Sequence, residues 1–412
     1  MVSIELDMIQ SAGLGALALL VGMALTRKVA FLQIFCVPSP VSGGIIFSLI
    51  TLILYSCFHV EVSFDGKLKD VFMLAFFTSV GFQSNLKVLK QGGKLLVIML
   101  TLLVVIIAMQ NLMPMAITRF LGVDPLIGMA AGSISMTGGH GTSGGFESIL
   151  EGMGLHGAGT IGMAAATFGL IAGSMLGGPL AERIIRTKLT HEQVQPQDED
   201  IDPAMAGIES DEASPTGRTK RVSTNEQEFQ QYANAFYSIL LVMGAGISMS
   251  WLLAKTGVTF PTYFGALILA AIVRNVIPDK LLDMERIISV GNICLSLFLG
   301  MAMISLKLWE LQSLALPLIV ILVSQVLMIA LFVYFVAFPL LGRDYDAAVL
   351  CAGICGFGLG ATPNAMANMS AVCYKYRYTV KPFLIVPIIG AMFADLINTG
   401  MITLFLNILQ GT

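Results

Sequence analysis

Ten apolar stretches, each close to bilayer-crossing length, constrain this chain more than any other feature of its sequence. A helix needs roughly 20 mostly apolar residues to cross ~30 Å of hydrocarbon, where backbone groups find no water and must bond internally. Such stretches fall near 9–26, 40–58, 71–86, 95–118 and 159–181, then near 234–254, 260–278, 287–306, 313–338 and 383–408. Two others, 125–150 and 346–370, are apolar enough for membrane depth. They are so rich in Gly, Ser, Thr and Asn that a plain helix is not expected.

Composition agrees. Of 412 residues, 56% are hydrophobic and 12% charged, against about 25% charged in a soluble domain. A net charge of −3 leaves no basic face for nucleic acid. The six cysteines (Cys36, Cys57, Cys294, Cys351, Cys355 and Cys373) lie in or near apolar segments without metal spacing, and read as packing residues. The acidic N-terminus, MVSIELDMIQ, is followed by no small-residue cleavage site, so the first stretch is expected to stay as a span.

The distribution of Lys and Arg sets an orientation. With the N-terminus outside and each odd stretch entering and leaving on one side, 18 of the 23 Lys and Arg fall in cytoplasmic segments. Only Lys67, Lys69, Arg119, Lys255 and Lys307 stay outside. Both termini are then periplasmic. Residues 188–230 are polar, acidic at first and nearly free of large apolar side chains, as expected of a flexible cytoplasmic linker. It joins an N-terminal repeat, 1–187, to a C-terminal repeat, 231–412.

The halves echo each other at an offset near 220. Leu121-Gly122-Val123-Asp124 opens the first odd stretch and Leu341-Gly342-Arg343-Asp344 the second. Gly138 falls on Gly358, Thr142 on Thr362, and Leu86-Lys87 on Leu306-Lys307. One residue further off, Pro40 and Gly44 match Pro261 and Gly265. Five spans per half invert the second half relative to the first. The expected fold is therefore an all-α polytopic membrane protein, with ten transmembrane helices as two inverted five-helix repeats, each with a Gly-rich re-entrant hairpin. Inverted repeats are a hallmark of secondary transporters, whose sites lie near the midplane where the repeats meet.

The chemistry is expected at the hairpins. The first contains Ser135, Thr137, Gly138, Gly139, His140, Gly141 and Thr142; the second contains Gly358, Gly360, Ala361, Thr362 and Asn364, followed by Asn368. Glycine lets backbone approach a ligand closely, and helix N-termini at the tips favour carboxylates. Every Arg lies at a span end or in a loop, so an anionic substrate would be held by amides, hydroxyls and dipoles. Asp395 sits mid-span with Asn398 one helical turn on. Carboxylate, amide and hydroxyl oxygens suit a small hard cation, here Na⁺, with Asn368 and Asn85 as further candidates. His140 reads as a substrate ligand, a proton relay or a brace for the hairpin. No His-Glu-x-x-His or Walker loop is present, and no cofactor is expected beyond the coupling ion. An H⁺-coupled organic anion carrier and an anion channel are the alternatives.

The stretch GSISMTGGHGTSGG followed by ATFGLIAGSMLGGPLA resembles the first-half signature of the bacterial sodium:glutamate symporters. So do MLAFF at 73–77, VDPLIGMAAGSI at 123–134, GNICLSLFLGMAMISLKLWELQSLALP, DYDAAVL at 344–350 and CGFGLGATPNAMANM. The similarity covers nearly the whole chain. It implies a Na⁺-coupled importer of L-glutamate in the bacterial inner membrane, a homodimer, and an elevator-like movement. It also carries over the motifs Gly138–Thr142 and Gly358–Pro363 and the positions Asn364, Asn368, Asp395 and Asn398. After the first tip this chain departs from the pattern: it has Ser143-Gly144-Gly145-Phe146-Glu147 where the family has small residues, Trp and a basic residue.

Overall fold

A computed structural model of the chain describes residues 2–35, 37–85, 93–190, 225–255, 258, 260–278 and 281–411. The Leu86-Lys87 match and most of the expected linker lie outside the described residues. Seven described helices are long and apolar enough to cross a membrane. They include α1 (Met8–Lys28), α3 (Ser39–Phe58), α5 (Gly93–Leu121), α8 (Ala158–Lys188) and α11 (Met284–Ile304). α9 (Asn225–Ala254) is another, starting inside the expected linker. The seventh is α12 (Ala315–Phe332), which continues through a π-turn into α13 (Phe338–Leu341).

The other three expected spans are shorter or interrupted. α4 (Lys67–Gln83) has 17 residues and α10 (Phe264–Val276) has 13. The last is broken into α16 (Lys381–Ile388), a π-turn at Ile389–Phe393, and α17 (Ala394–Gln410). Pro387 lies beside that break, where it removes a backbone donor and loosens the ladder. A short α2 (Ala30–Ile34) follows α1. The sequence reading had no strands, yet β1 (Val2–Leu6) pairs in parallel with β2 (Val60–Phe64).

Both odd stretches become broken pairs of helices, opened by the same local chemistry. Gly122 and Gly342 take φ of +69° and +126°, ending the preceding helix. Asp124 then accepts the Leu126 N–H at 2.8 Å, and Asp344 the Ala347 N–H at 2.7 Å. The first pair is α6 (Pro125–Ala130), a run of turns to Gly138, and α7 (Gly139–Gly152). The second is α14 (Tyr345–Leu359) and α15 (Thr362–Lys375), broken only at Gly360-Ala361.

The helices form two groups that pack mainly within themselves. α1, α3, α4, α9, α10 and α11 make a first bundle. There α1 and α3 touch backbone to backbone: a Cβ on Gly22 would meet the Ser39 carbonyl, and one on Gly43 that of Ala18. α5 to α8 and α12 to α17 make the second bundle, with both broken pairs inside it. Each half of the chain contributes three helices to the first bundle and its broken pair to the second.

Candidate substrate and ion site

At the break before α7, the eight residues 131–138 lack regular helical bonding and borrow partners from side chains. Asn111 of α5 accepts the Ser133 N–H through Oδ1 at 3.2 Å, and Asn398 of α17 donates to the Ser133 carbonyl at 3.0 Å. Ser135 donates to the Gly162 carbonyl of α8 at 3.0 Å and pairs with Ser143 Oγ at 3.1 Å. Thr137 donates to Gln110 Oε1 at 2.6 Å. Gln110 in turn donates through Nε2 to the Gly358 carbonyl of the second pair, and Gln325 donates to the Gln110 carbonyl at 2.9 Å. One buried amide thus ties the first break to the second. Buried backbone groups left unpaired would each cost about 1–3 kcal/mol, so these amides make a break at this depth tolerable.

The second break is held differently. Asn364 donates to the Leu170 carbonyl at 2.8 Å and to Ser174 Oγ at 2.9 Å. One turn later Asn368 donates to the Gly173 carbonyl at 2.9 Å. Both stitch α15 to α8.

The tips meet. A Cβ on Gly139 would sit 3.3 Å from the Gly360 carbonyl oxygen. Between them lies a cavity of about 190 Å³, large enough for a small metabolite and its ions. Thr137, Gly138, Gly139, His140, Gly141 and Thr142 line it from the first tip; Gly360, Ala361 and Thr362 from the second. Gly390, Ala394 and Asp395 enter from the broken last span. Phe76, Phe77, Leu295 and Leu299 of the first bundle close the remaining side, near Pro38. Among the described lining residues Asp395 is the one carboxylate, and none is Lys or Arg. An anion entering here meets the N-terminal ends of α7 and α15, which carry partial positive charge.

α7 turns a glycine face to the first bundle. A Cβ on Gly141 would lie 3.3 Å from the Phe76 ring, one on Gly144 would strike Phe298, and one on Gly145 would lie 2.5 Å from the Tyr263 ring. Tyr263 itself stacks on Phe77 with centroids 3.8 Å apart. Aromatic rings therefore rest directly on helix backbone between the bundles.

Of the residues singled out in the sequence, Ser135, Gly358, Asn364, Asn368, Asn398 and Asn85 do not line the cavity. The Gly358 carbonyl is held by Gln110, and Ser135, Asn364, Asn368 and Asn398 brace the breaks. Asn85 follows Ser84, whose hydroxyl donates to the Met392 carbonyl at 3.0 Å in the broken last span. Gln110, Asn111 and Gln325 were not read from the sequence. The signal available was an amide inside an apolar run, which is costly at membrane depth unless it has a partner.

A second, larger cavity of about 370 Å³ lies where α4 begins and α7 and α11 end. Glu147, at the departure from the family pattern, forms a 2.8 Å ion pair there with Lys69, joining the two bundles. Lys307 pairs with Glu61 at 2.9 Å on the same cavity.

Comparison with known proteins decides the lineage of this site. The family model described as Sodium/glutamate symporter matches residues 4–378. The chain belongs to the sodium/glutamate symporter family. That family is one of transporters, not enzymes. The chain is 39% identical over 410 residues to the sodium/glutamate symporter of Escherichia coli (strain K12), covering 98% of each protein. It is equally similar to the symporter of that name from Shigella flexneri, again over 98% of each. With the sodium/glutamate symporter of Haemophilus influenzae it shares 37% identity over 397 residues, 95% of each. As a symporter-family protein with seven described apolar helices, it is a multi-pass membrane protein.

Proposed function

We propose that this chain imports L-glutamate by symport with Na⁺ across a bacterial inner membrane. The observation that supports this most directly is the convergence of both helix breaks and Asp395 on one cavity whose described lining holds no Lys or Arg. In this reading the substrate carboxylates meet the N-terminal amides of α7 and α15 and the hydroxyls of Thr142 or Thr362. Na⁺ binds at Asp395, drawing its other oxygens from Thr362, backbone carbonyls and water. Asn398 and Asn368 then act on the cation through the breaks they brace, and Asn85 through its place beside Ser84, which holds the broken last span.

The two halves are inverted repeats, the broken pairs are re-entrant hairpins, and the second bundle is the moving part of an elevator. The first bundle is its scaffold and the surface for a homodimer. The division of the helices supports this, because each half gives its hairpin to one bundle and three helices to the other. Both termini lie on the periplasmic side and the segment 188–230 on the cytoplasmic side. Moving one net positive charge inward gains roughly 2.3 kcal/mol per 100 mV, enough to drive accumulation.

The test is uptake of labelled L-glutamate into proteoliposomes under an imposed Na⁺ gradient, with K⁺ and pH-gradient controls. Uphill accumulation that needs Na⁺ is the expected result. Non-saturating flux would point to a channel, and dependence on the pH gradient alone to H⁺ coupling. Asp395→Asn is expected to lower apparent Na⁺ affinity at least tenfold. Unchanged Na⁺ activation in that variant would remove the cation from Asp395.

A further inference from the structure

His140 lines the central cavity and is only 6% exposed. Its Nε2 lies 2.9 Å from Thr167 Oγ1. The same hydroxyl lies 2.8 Å from the Met163 carbonyl, four residues back on α8, and donates to it. A hydroxyl has one proton. Spent on Met163, it cannot also be given to the ring, so Nε2 carries the imidazole proton and donates it to Thr167. In that tautomer Nδ1 is an acceptor with a free lone pair. Among the described residues nothing donates to Nδ1. The residue itself forms part of the cavity wall.

A neutral acceptor fixed at the mouth of a helix N-terminus is the complement of the amides around it. Those amides take carboxylates and offer nothing to a cationic group. We infer that His140 Nδ1 accepts a hydrogen bond from the α-ammonium of the substrate and thereby selects amino acids over plain dicarboxylates. This rests on the reading of the cavity as a glutamate site. It leaves Asp395 to the cation and gives each charged group of a zwitterionic dicarboxylate its own partner. The Thr167 bond fixes the ring, so the acceptor is preorganised and costs little ordering on binding.

Two substitutions separate recognition from bracing. In His140→Asn the amide oxygen stands where Nδ1 stood, while the reach to Thr167 is lost. In His140→Gln the terminal amide nitrogen stands where Nε2 stood and keeps that reach, while the acceptor beside the cavity is lost. The readout is the concentration of unlabelled L-glutamate against that of glutarate, its analogue without the amino group, that halves labelled L-glutamate uptake. Ligand-induced thermal stabilisation of the purified protein gives the same ratio without a transport cycle. His140→Gln is expected to shrink the preference for glutamate about 10- to 100-fold, the range for a lost hydrogen bond to a charged group. His140→Asn should hold it within about threefold of wild type. A preference kept by the Gln variant, or lost by the Asn variant, overturns the inference while wild-type uptake leaves the functional reading standing. Absence of wild-type glutamate uptake and stabilisation overturns both.

Discussion

The two helix breaks begin alike and are held differently. Each follows a glycine with positive φ and an aspartate cap. The first then loses regular helix for eight residues, borrows Asn111, Gln110 and Asn398 from other helices, and lays α7 against the aromatic wall of the first bundle. The second loses only Gly360-Ala361 and is sewn to α8 by two asparagines one turn apart. The lesson is that the same Leu-Gly-x-Asp opening starts both breaks, whereas the neighbours of each decide how it is kept. The first break touches both bundles. The second belongs wholly to one.

That contrast can be broken by substitution. The largest effect is expected at Gly144, where the Phe298 ring occupies the place of a side chain. Gly144→Leu should abolish uptake, by more than about 100-fold, since overpacking at a tight backbone contact costs typically 1–3 kcal/mol or more and here also props the bundles apart. Uptake at wild-type level would mean that α7 does not slide on that wall. Gln110→Leu comes next: it orphans the Thr137 hydroxyl and the Gly358 carbonyl together, for about 2–4 kcal/mol. Thermal unfolding in detergent should fall accordingly, and an unshifted transition would show that the breaks do not depend on one another.

Asn364→Ala should cost less, about 1–2 kcal/mol, and should loosen α15 while leaving the first break intact. Hydrogen exchange confined to α15 is the expected pattern; protection lost equally around Ser133 would erase the distinction drawn here. The smallest effect is expected at Gly358, where an added Cβ would meet Ile329 at 3.5 Å and Ile106 at 4.0 Å, ordinary contact distances. Gly358→Ala should change uptake less than about twofold. A collapse there, beside tolerance at Gly144, would reverse the roles of the two breaks.

Much of this was legible in the chain itself. Leu-Gly-x-Asp at 121–124 and 341–344 marks a helix end and a helix cap, and glycine clusters mark backbone that cannot stay helical. Asp395 stands out because a carboxylate inside an apolar run has few inexpensive explanations. What stayed hidden depends on pairing across long separations. Gln110 reaches Gly358 across 248 positions and Asn398 reaches Ser133 across 265, and no local pattern records such a partner. For the same reason the bonds made by Asn364, Asn368 and Asn398 are invisible in sequence, where an amide that braces and an amide that binds look identical. The interruption at Ile389–Phe393 was masked because its residues are as apolar as those of an unbroken span. The β1–β2 pair was masked because five residues are too few for alternation to stand out.

The bridge made by Gln110 has a consequence for leak-tightness. One carboxamide grips a hydroxyl of the first tip and a carbonyl of the second, so the tips are less like two shutters on separate hinges than like two blades on one rivet. Prising either one away from the cavity strains the hold on the other. In the elevator reading proposed above, the riveted pair passes the opposing wall as one body, and a water thread from one side of the bilayer to the other has no pair of half-open shutters to run between.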